Sequence, residues 1–487
     1  MYETVIGLEV HIQLNTLTKM FCADDASFGG APNSHTGVVS LALPGALPRT
    51  NRAAVERAAK LGMALGCEVS KESRFDRKNY FYADLPKGHQ ITQNALPVCL
   101  GGVVALPDCG ATVRIHHIHM EEDAGKSIHD QDPVFSLIDL NRAGVPLLEL
   151  VTEPDFRSAE QVSEFMEILR RLVRWLGISD GNMEEGSLRC DVNISLRPLE
   201  QAAYGQRCEI KNMNSMRFAR QAIEHEVKRQ TAVLQNGGTI TQETRGFDAG
   251  SGTTYSLREK EQAHDYRYFP EPDLPPVRIL ADTLETWRKE LPQMPWETEK
   301  HLNALGLQPQ DARLVCQEKT TADYLLAWLR DFPETPARAA ANLLIQKLLP
   351  WCAAHATTLQ DSPAPYAVWT SLINRVETGV LSSTAAYQQV FPAALGGQQA
   401  GGCGQQAAEA WVDTLIEALG LRQNNDDAFL SELADGVLSA HPEKVDEYKK
   451  GKKGLMGFFM GELMKVSKGK ADPKAATQIL TGKLEGR

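Results

Sequence analysis

Residues 5–14, VIGLEVHIQL, alternate: Ile6, Leu8, Val10 and Ile12 fall on one side of an extended strand, and Glu9, His11 and Gln13 on the other. Residues 187–197, SLRCDVNISLR, repeat the pattern. There Leu188, Cys190, Val192, Ile194 and Leu196 oppose Arg189, Asp191, Asn193, Ser195 and Arg197. Between these two predicted strands the period changes. Residues 51–66 predict a helix with apolar Val55, Ala58, Leu61, Met63 and Leu65. Residues 159–176 predict another, in which Val162, Phe165, Met166, Leu169, Leu172, Val173 and Leu176 keep the i, i+3, i+4, i+7 spacing. Ser158 with Gln161 reads as its capping box and Gly177 as its stop. A third helix is predicted over 216–235, ended by the turn at 236–238.

The pattern shifts near LPQMPW at 291–296, which reads as a linker. Short helices follow, among them TADYLLAWLR, ARAAANLLIQKLL and APYAVWTSLINRVETG. The Gly/Gln-rich stretch 394–408 predicts a flexible hinge before a last small helical unit, 409–487. The expected divisions are therefore 1–293, 294–393, 394–408 and 409–487, and a length of 487 residues supports that many cores.

A net charge of −11 argues against a surface that binds nucleic acid throughout. The charge is uneven, however: eleven Lys/Arg face six Asp/Glu from His441 to Arg487, so this tail is about +5 and the remainder about −16. Within it, Lys449, Lys450, Lys452 and Lys453 surround Gly451 and precede an apolar helix, a pattern suited to backbone and Lys contacts with phosphates. Nine scattered cysteines without a CxxC read as reduced thiols, so a disulfide framework and a zinc site are not expected. With no signal peptide or membrane-spanning run in view, the expected compartment is the cytoplasm, with no membrane partner.

The densest chemistry lies in His119–Ser127, HMEEDAGKS. It is not a P-loop, because that spacing needs Gly where Met120 stands. It is not a zinc deaminase either, since no PCxxC follows. What remains is hard-oxygen chemistry: acids with at most one His suit Mg²⁺ or Mn²⁺ beside phosphates. Glu9 and His11, two apart on one face and about 7 Å from each other, fit such a site. So does Glu149, isolated inside the apolar LLELV, which must be paired or metal-bound if buried. Asp76–Gln93, DRKNYFYADLPKGHQITQ, is either a packed aromatic loop or a wet functional wall.

VIGLEVHIQL, DRKNYFYADLPKGHQ, HMEEDAGKS, MEEGSLRCDVNIS, EIKNMNS, DYRYFPEPDL and GKKGLMGFFMG-x-LMK together resemble, in order and over essentially the whole chain, the B subunits of bacterial glutamyl-/aspartyl-tRNA amidotransferases. The resemblance implies an α+β fold: a mixed-sheet cradle domain with helices, a helical domain, and a small YqeY-like helical tail that contacts tRNA. It implies ATP- and Mg²⁺-dependent (alternatively Mn²⁺-dependent) phosphorylation of the side-chain carboxylate of Glu-tRNA(Gln) and/or Asp-tRNA(Asn). Ammonia released by an amidase partner then gives the amide, and a third, small subunit makes the complex a heterotrimer.

By resemblance the metal ligands are Glu9, His11, Glu122, Glu149 and Asp191; Glu122, Asp191 and Lys126 are catalytic; and Lys126, Ser127 and Arg189 contact nucleotide. Lys78, Tyr82, Lys87 and His89 would line the ammonia path or acceptor pocket, and Lys449, Lys450, Lys452, Lys453, Lys465 and Lys468 the tRNA surface. Some relatives carry a zinc knuckle, CxC then CPxC. Here the matching segments are Cys22-Ala23-Asp24 and Gly37-Val38-Val39-Ser40, so no zinc is expected. Two readings of other classes stand beside this one. One is an RNA-binding scaffold, which the acids far from the basic tail disfavour. The other is a free-standing Mg²⁺-dependent ligase using ammonium, which requires activity without partners.

Overall fold

The computed structural model describes residues 2–211, 213, 215–259, 265–396, 404–423, 427–467 and 471–486. The chain divides into two compact units, Met1–Pro295 and Trp296–Arg487.

The first unit is α+β. Its alternating segments become strands because each has one apolar side to bury. They are β1 (Tyr2–Gln13), β2 (Ala111–Glu122), β3 (Pro146–Thr152), β4 (Leu188–Pro198), β5 (Cys208–Lys211), β6 (Glu243–Asp248) and β7 (Thr253–Glu259). Among the described residues they form the bulk of a ten-stranded sheet in the order β7-β6-β5-β4-β1-β3-β2, extended by Cys99–Leu100 and Glu68–Val69, with Val103–Leu106 also paired to β2. The β5–β6 pair is parallel and the other pairs are antiparallel, so the sheet is mixed.

The apolar side of β1 and β4 is sealed: Ile6, Leu8, Val10, Ile12, Leu188, Cys190, Val192 and Ile194 are all buried. Three helices serve this core: α1 (Arg52–Ala64), against β2; α2 (Ala159–Trp175), against α3; and α3 (Met216–Gln235), against β4. The predicted punctuation of α2 is present. Ser158 Oγ accepts from the Gln161 amide at 3.3 Å, while Gln161 Oε1 reaches back to the Arg157 amide at 2.7 Å. Gly177 closes the helix in the left-handed region at φ 64°.

Asp76–Asn79 and His89–Thr92 form a hairpin, and Phe269–Pro270 adds a third strand to it. The Pro-rich stretch after residue 264 thus contributes one short strand at that edge.

The second unit is helical. Gln405–Ala418 packs on Tyr366–Glu377, pinned by Arg375 to Asp413 at 2.8 and 2.7 Å. The separate apolar core of the tail begins at Leu430 and runs through Phe459 and Leu463 to Leu484. The helix at 405–418 therefore joins the helices before it, although a boundary at 409 assigned it to the tail. Of the expected hinge 394–408, residues 397–403 lie outside the described residues.

Candidate metal centre and phosphate cavity

The polar side of the sheet is where the isolated acids meet, because antiparallel register sets them opposite one another. His11 faces Glu149 on β3 and Arg189 on β4; Glu149 faces His119 on β2; Glu9 faces Asp191. Two clusters result, each with ligand atoms within 4.8 Å of one another: His11, Glu121 and Glu149, and Glu9, Asp191 and Glu209. In the first, His11 Nε2 lies 3.3 Å from Glu149 and 3.6 Å from Glu121, and His119 Nε2 lies 3.4 and 3.5 Å from the same two acids. In the second, Asn193 donates to Glu9 at 2.9 Å, and Lys211 Nζ lies 3.1 Å from Asp191 and 3.0 Å from Glu209.

The electrostatics match this geometry. Burial opposes the imidazolium forms of His11 and His119, but Glu149 and Glu121 outweigh it; His11 is raised and His119 is pushed up to about 10. Burial would raise Glu149, yet His119 and His11 hold it well below the usual carboxylate range. Burial and the nearby Glu149 push the Glu9 carboxyl up. A divalent cation relieves such repulsion between acids and displaces the protons that balance it. Oxygen donors with at most one imidazole per cluster fit Mg²⁺ or Mn²⁺.

His11 and Asp191 also line a cavity of about 770 Å³ whose walls include Lys126, Arg142, Arg189 and Lys211. Arg189 donates to Asp123 at 2.8 Å, and its Nε is buried without a hydrogen-bond partner among the described residues. Asp123 also accepts from Gln13 at 2.6 Å. Burial opposes its charge, but Arg189 and Arg142 hold it low. Such a convergence of cations beside acid clusters suits polyphosphate held with a metal ion.

The expected single site is corrected in three respects. Glu122 belongs to neither cluster. It follows Glu121 by one residue, so its side chain leaves the opposite face of β2, where it pairs with Lys87 and accepts from the Ile91 amide at 3.0 Å. Glu121 takes its place, and Glu9 and Asp191 serve a second cluster with Glu209, separate from that of His11 and Glu149. Ser127, beside Lys126, is not among the residues that line the cavity.

Sequence reasoning also missed His119, Glu121 and Arg142. The parity of His119 and Glu121 along β2 was the available signal. Glu209 and Lys211 lie in EIKNMNS, one of the stretches that carry the resemblance.

The four expected acceptor-pocket residues each have a different partner. Lys87 faces Glu122; Lys78 Nζ lies 5.0 Å from the Tyr266 ring and 5.9 Å from that of Tyr80; Tyr82 is exposed, edge-on to Tyr80; and His89 lies 3.7 Å from Glu271. Among the expected tRNA contacts, Lys449, Lys450, Lys452, Lys453 and Lys465 are exposed, and Lys468 lies outside the described residues.

Glu271 fastens this wall. It accepts two hydrogen bonds from Arg77, at 2.7 and 2.8 Å, and its side chain is fully buried. Burial opposes its ionisation, but His89 and Arg77 prevail and hold the carboxyl down at about 2. A carboxyl depressed on folding adds stability above its unfolded value, near 4.5, and loses it as pH falls through about 2. Glu271→Gln is therefore expected to lower the unfolding free energy by about 3 kcal/mol at pH 7, and by less than roughly half of that at pH 3. Urea denaturation at both pH values checks this, and an equal loss at each contradicts it.

An α+β domain that gathers acids and histidines beside a basic cavity, followed by a helical unit, has the features of a catalytic subunit with an appended module. Residues 4–285 match the family model described as "GatB/GatE catalytic domain", and residues 330–484 match the "GatB domain". The B subunits of aspartyl/glutamyl-tRNA(Asn/Gln) amidotransferase from Anaeromyxobacter sp. strain Fw109-5 and from Syntrophotalea carbinolica are each 44% identical to this chain, with 100% of the chain and 99% of each relative covered. That of Anaeromyxobacter dehalogenans strain 2CP-C is 45% identical, with 99% of both covered. The chain belongs to this family of amidotransferase B subunits. Among the described residues no helix is long and apolar enough to cross a membrane.

Proposed function

We propose that this chain works in a cytoplasmic heterotrimer, beside an amidase and a small third subunit. In that complex it activates the side-chain carboxylate of Glu-tRNA(Gln), Asp-tRNA(Asn) or both with ATP. A carboxylate oxygen attacks the γ-phosphorus and ADP leaves. Ammonia then attacks the acyl phosphate and inorganic phosphate leaves, giving the amide. The observation that carries the reading is the pair of acid clusters, His11/Glu121/Glu149 and Glu9/Asp191/Glu209, each of which sends one member, His11 or Asp191, to the wall of a cavity also lined by Lys126, Arg142, Arg189 and Lys211.

When bound, Mg²⁺ or Mn²⁺ supplies neutralisation of the charge on the transferring phosphoryl group. The two clusters would hold it. Lys126, Arg142 and Arg189 would orient the phosphates, with Ser127 as a neighbour on the same strand, and the apolar face of the sheet keeps the ligand-bearing strands rigid. Lys78, Tyr82, Lys87 and His89 belong in this proposal to the wall along which ammonia and acceptor approach. The tail lysines, Lys468 included, would contact tRNA phosphates. A partly shielded, hydrogen-bonded route is needed because ammonia that protonates is no longer a nucleophile.

The test is to purify the chain with its amidase and small-subunit partners and supply ATP, glutamine and each mischarged tRNA. Amide formation coupled to ADP release on at least one tRNA is the expected outcome. Amidation that proceeds without ATP, or ATP that is not consumed with either tRNA, overturns the reading.

A further inference from the structure

Lys19 has no role in the chemistry proposed above, yet its side chain is fully buried. A buried ammonium must be paired and hydrogen-bonded. Lys19 Nζ donates to Ser40 Oγ and to the Leu140 carbonyl, both at 3.3 Å. Ser40 Oγ donates in turn to Asp24 at 2.5 Å, where the Gly37 amide also donates at 2.8 Å, and Cys22 Sγ lies 3.6 Å from Ser40 Oγ. Burial pushes the Lys19 ammonium down, and Cys22, Asp24, Glu122 and Asp139 counter it.

Positions 22, 24, 37 and 40 are the ones where the zinc-knuckle pattern expects four cysteines. They do meet in space, but they offer one thiol, one carboxylate, a glycine without a side chain and a hydroxyl. Structural zinc takes four Cys or His ligands. Burial also pushes the Cys22 thiol up, away from the thiolate that binds metal. A Cβ on residue 37 would lie 2.2 Å from Asp24 Oδ1. These residues do not fit zinc.

We propose that Lys19 supplies the missing positive charge, so that Lys19, Asp24 and Ser40 form a metal-free clasp. The clasp closes loop 22–40 on the chain at Leu140. This matters for the site because Ala26–Gly30 of the same loop line the 770 Å³ cavity, as do Asp139 and Asn141 beside Leu140. Lys19 is thus a positioning residue. Its effect on nucleotide rests on the proposed use of that cavity; the clasp itself does not.

The test uses the full chain in its complex, as wild type, Ser40→Ala and Lys19→Met. Elemental analysis is expected to find no stoichiometric zinc in the wild type, and a zinc-selective chelator leaves its melting temperature unchanged. Amide hydrogen exchange over residues 22–40 should quicken by about tenfold in the variants. KM for ATP should rise by about tenfold with kcat nearly unchanged, a split that general destabilisation does not produce. Ser40→Ala keeps the test open if Lys19→Met fails to fold. Stoichiometric zinc in the wild type, or unchanged exchange over 22–40 in Ser40→Ala, overturns the clasp. A loosened loop with unchanged KM for ATP supports the clasp and counts against the nucleotide reading of the cavity.

Discussion

Glu149→Gln is expected to slow ATP-dependent phosphorylation of the acceptor by roughly 10²–10³-fold while leaving tRNA affinity near that of the wild type. The substitution keeps the size of the side chain and removes its charge. Glu149 sits at the middle of the row His119–Glu149–His11 across three strands, 3.4 Å from one imidazole and 3.3 Å from the other. It is the acid on which both raised histidines depend, so its loss removes a ligand and also the field that organises the other donors. The basic tail lies in the other compact unit, which is why binding of the tRNA body should be spared. Single-turnover transfer of labelled γ-phosphate, alongside a tRNA-binding isotherm, separates the two effects. Full phosphoryl transfer by the variant would sink the assignment of Glu149.

Replacing Lys449, Lys450, Lys452 and Lys453 together by alanine should weaken tRNA binding by about 10²-fold and lower the slope of log K against log salt by about 3 to 4. ATP hydrolysis should be spared. Lys452 pairs with Glu447 at 3.2 Å and Lys453 with Glu485 at 3.3 Å, but the two lysines are 70% and 60% exposed. Exposed pairs of this kind hold less than about 1 kcal/mol, so phosphates can draw both lysines away at little cost. For the same reason the fold should barely register their loss. Lys465 is a weaker member, with Glu462 at 3.8 Å on the same helix. Binding isotherms at several salt concentrations provide the check, and an unchanged slope removes the tail from the tRNA surface.

How much of this was legible in the chain follows from the physics of each element. The alternation of β1 and β4 could be read directly, because a period of two survives in any sheet with one buried face. Helix α2 could be read for its stripe, its cap and its Gly177 stop. The acids of HMEEDAGKS were harder. Glu121 and Glu122 look equivalent until the strand is known to run through both, and then parity with His119 selects Glu121. The division into two clusters was not legible at all. It depends on register between Glu9 and Asp191, or Glu149 and His119, and such pairings are fixed by the folded sheet and not by any local pattern. The helix at 405–418 followed a flexible composition, and only its packing against Tyr366–Glu377 assigns it to the earlier helices. Lys19 sits in a loop with no periodicity, so nothing along the chain marks it as buried.

The central claim is that strands far apart in sequence gather acids around hard cations, and anomalous scattering from Mn²⁺ tests it most directly. In crystals of the wild-type chain grown with Mn²⁺ and a non-hydrolysable ATP analogue, density is predicted between His11, Glu121 and Glu149 and between Glu9, Asp191 and Glu209. In Glu149→Gln the first peak should vanish. Wild-type crystals with manganese at neither cluster, or bound only at Glu122, would contradict the account.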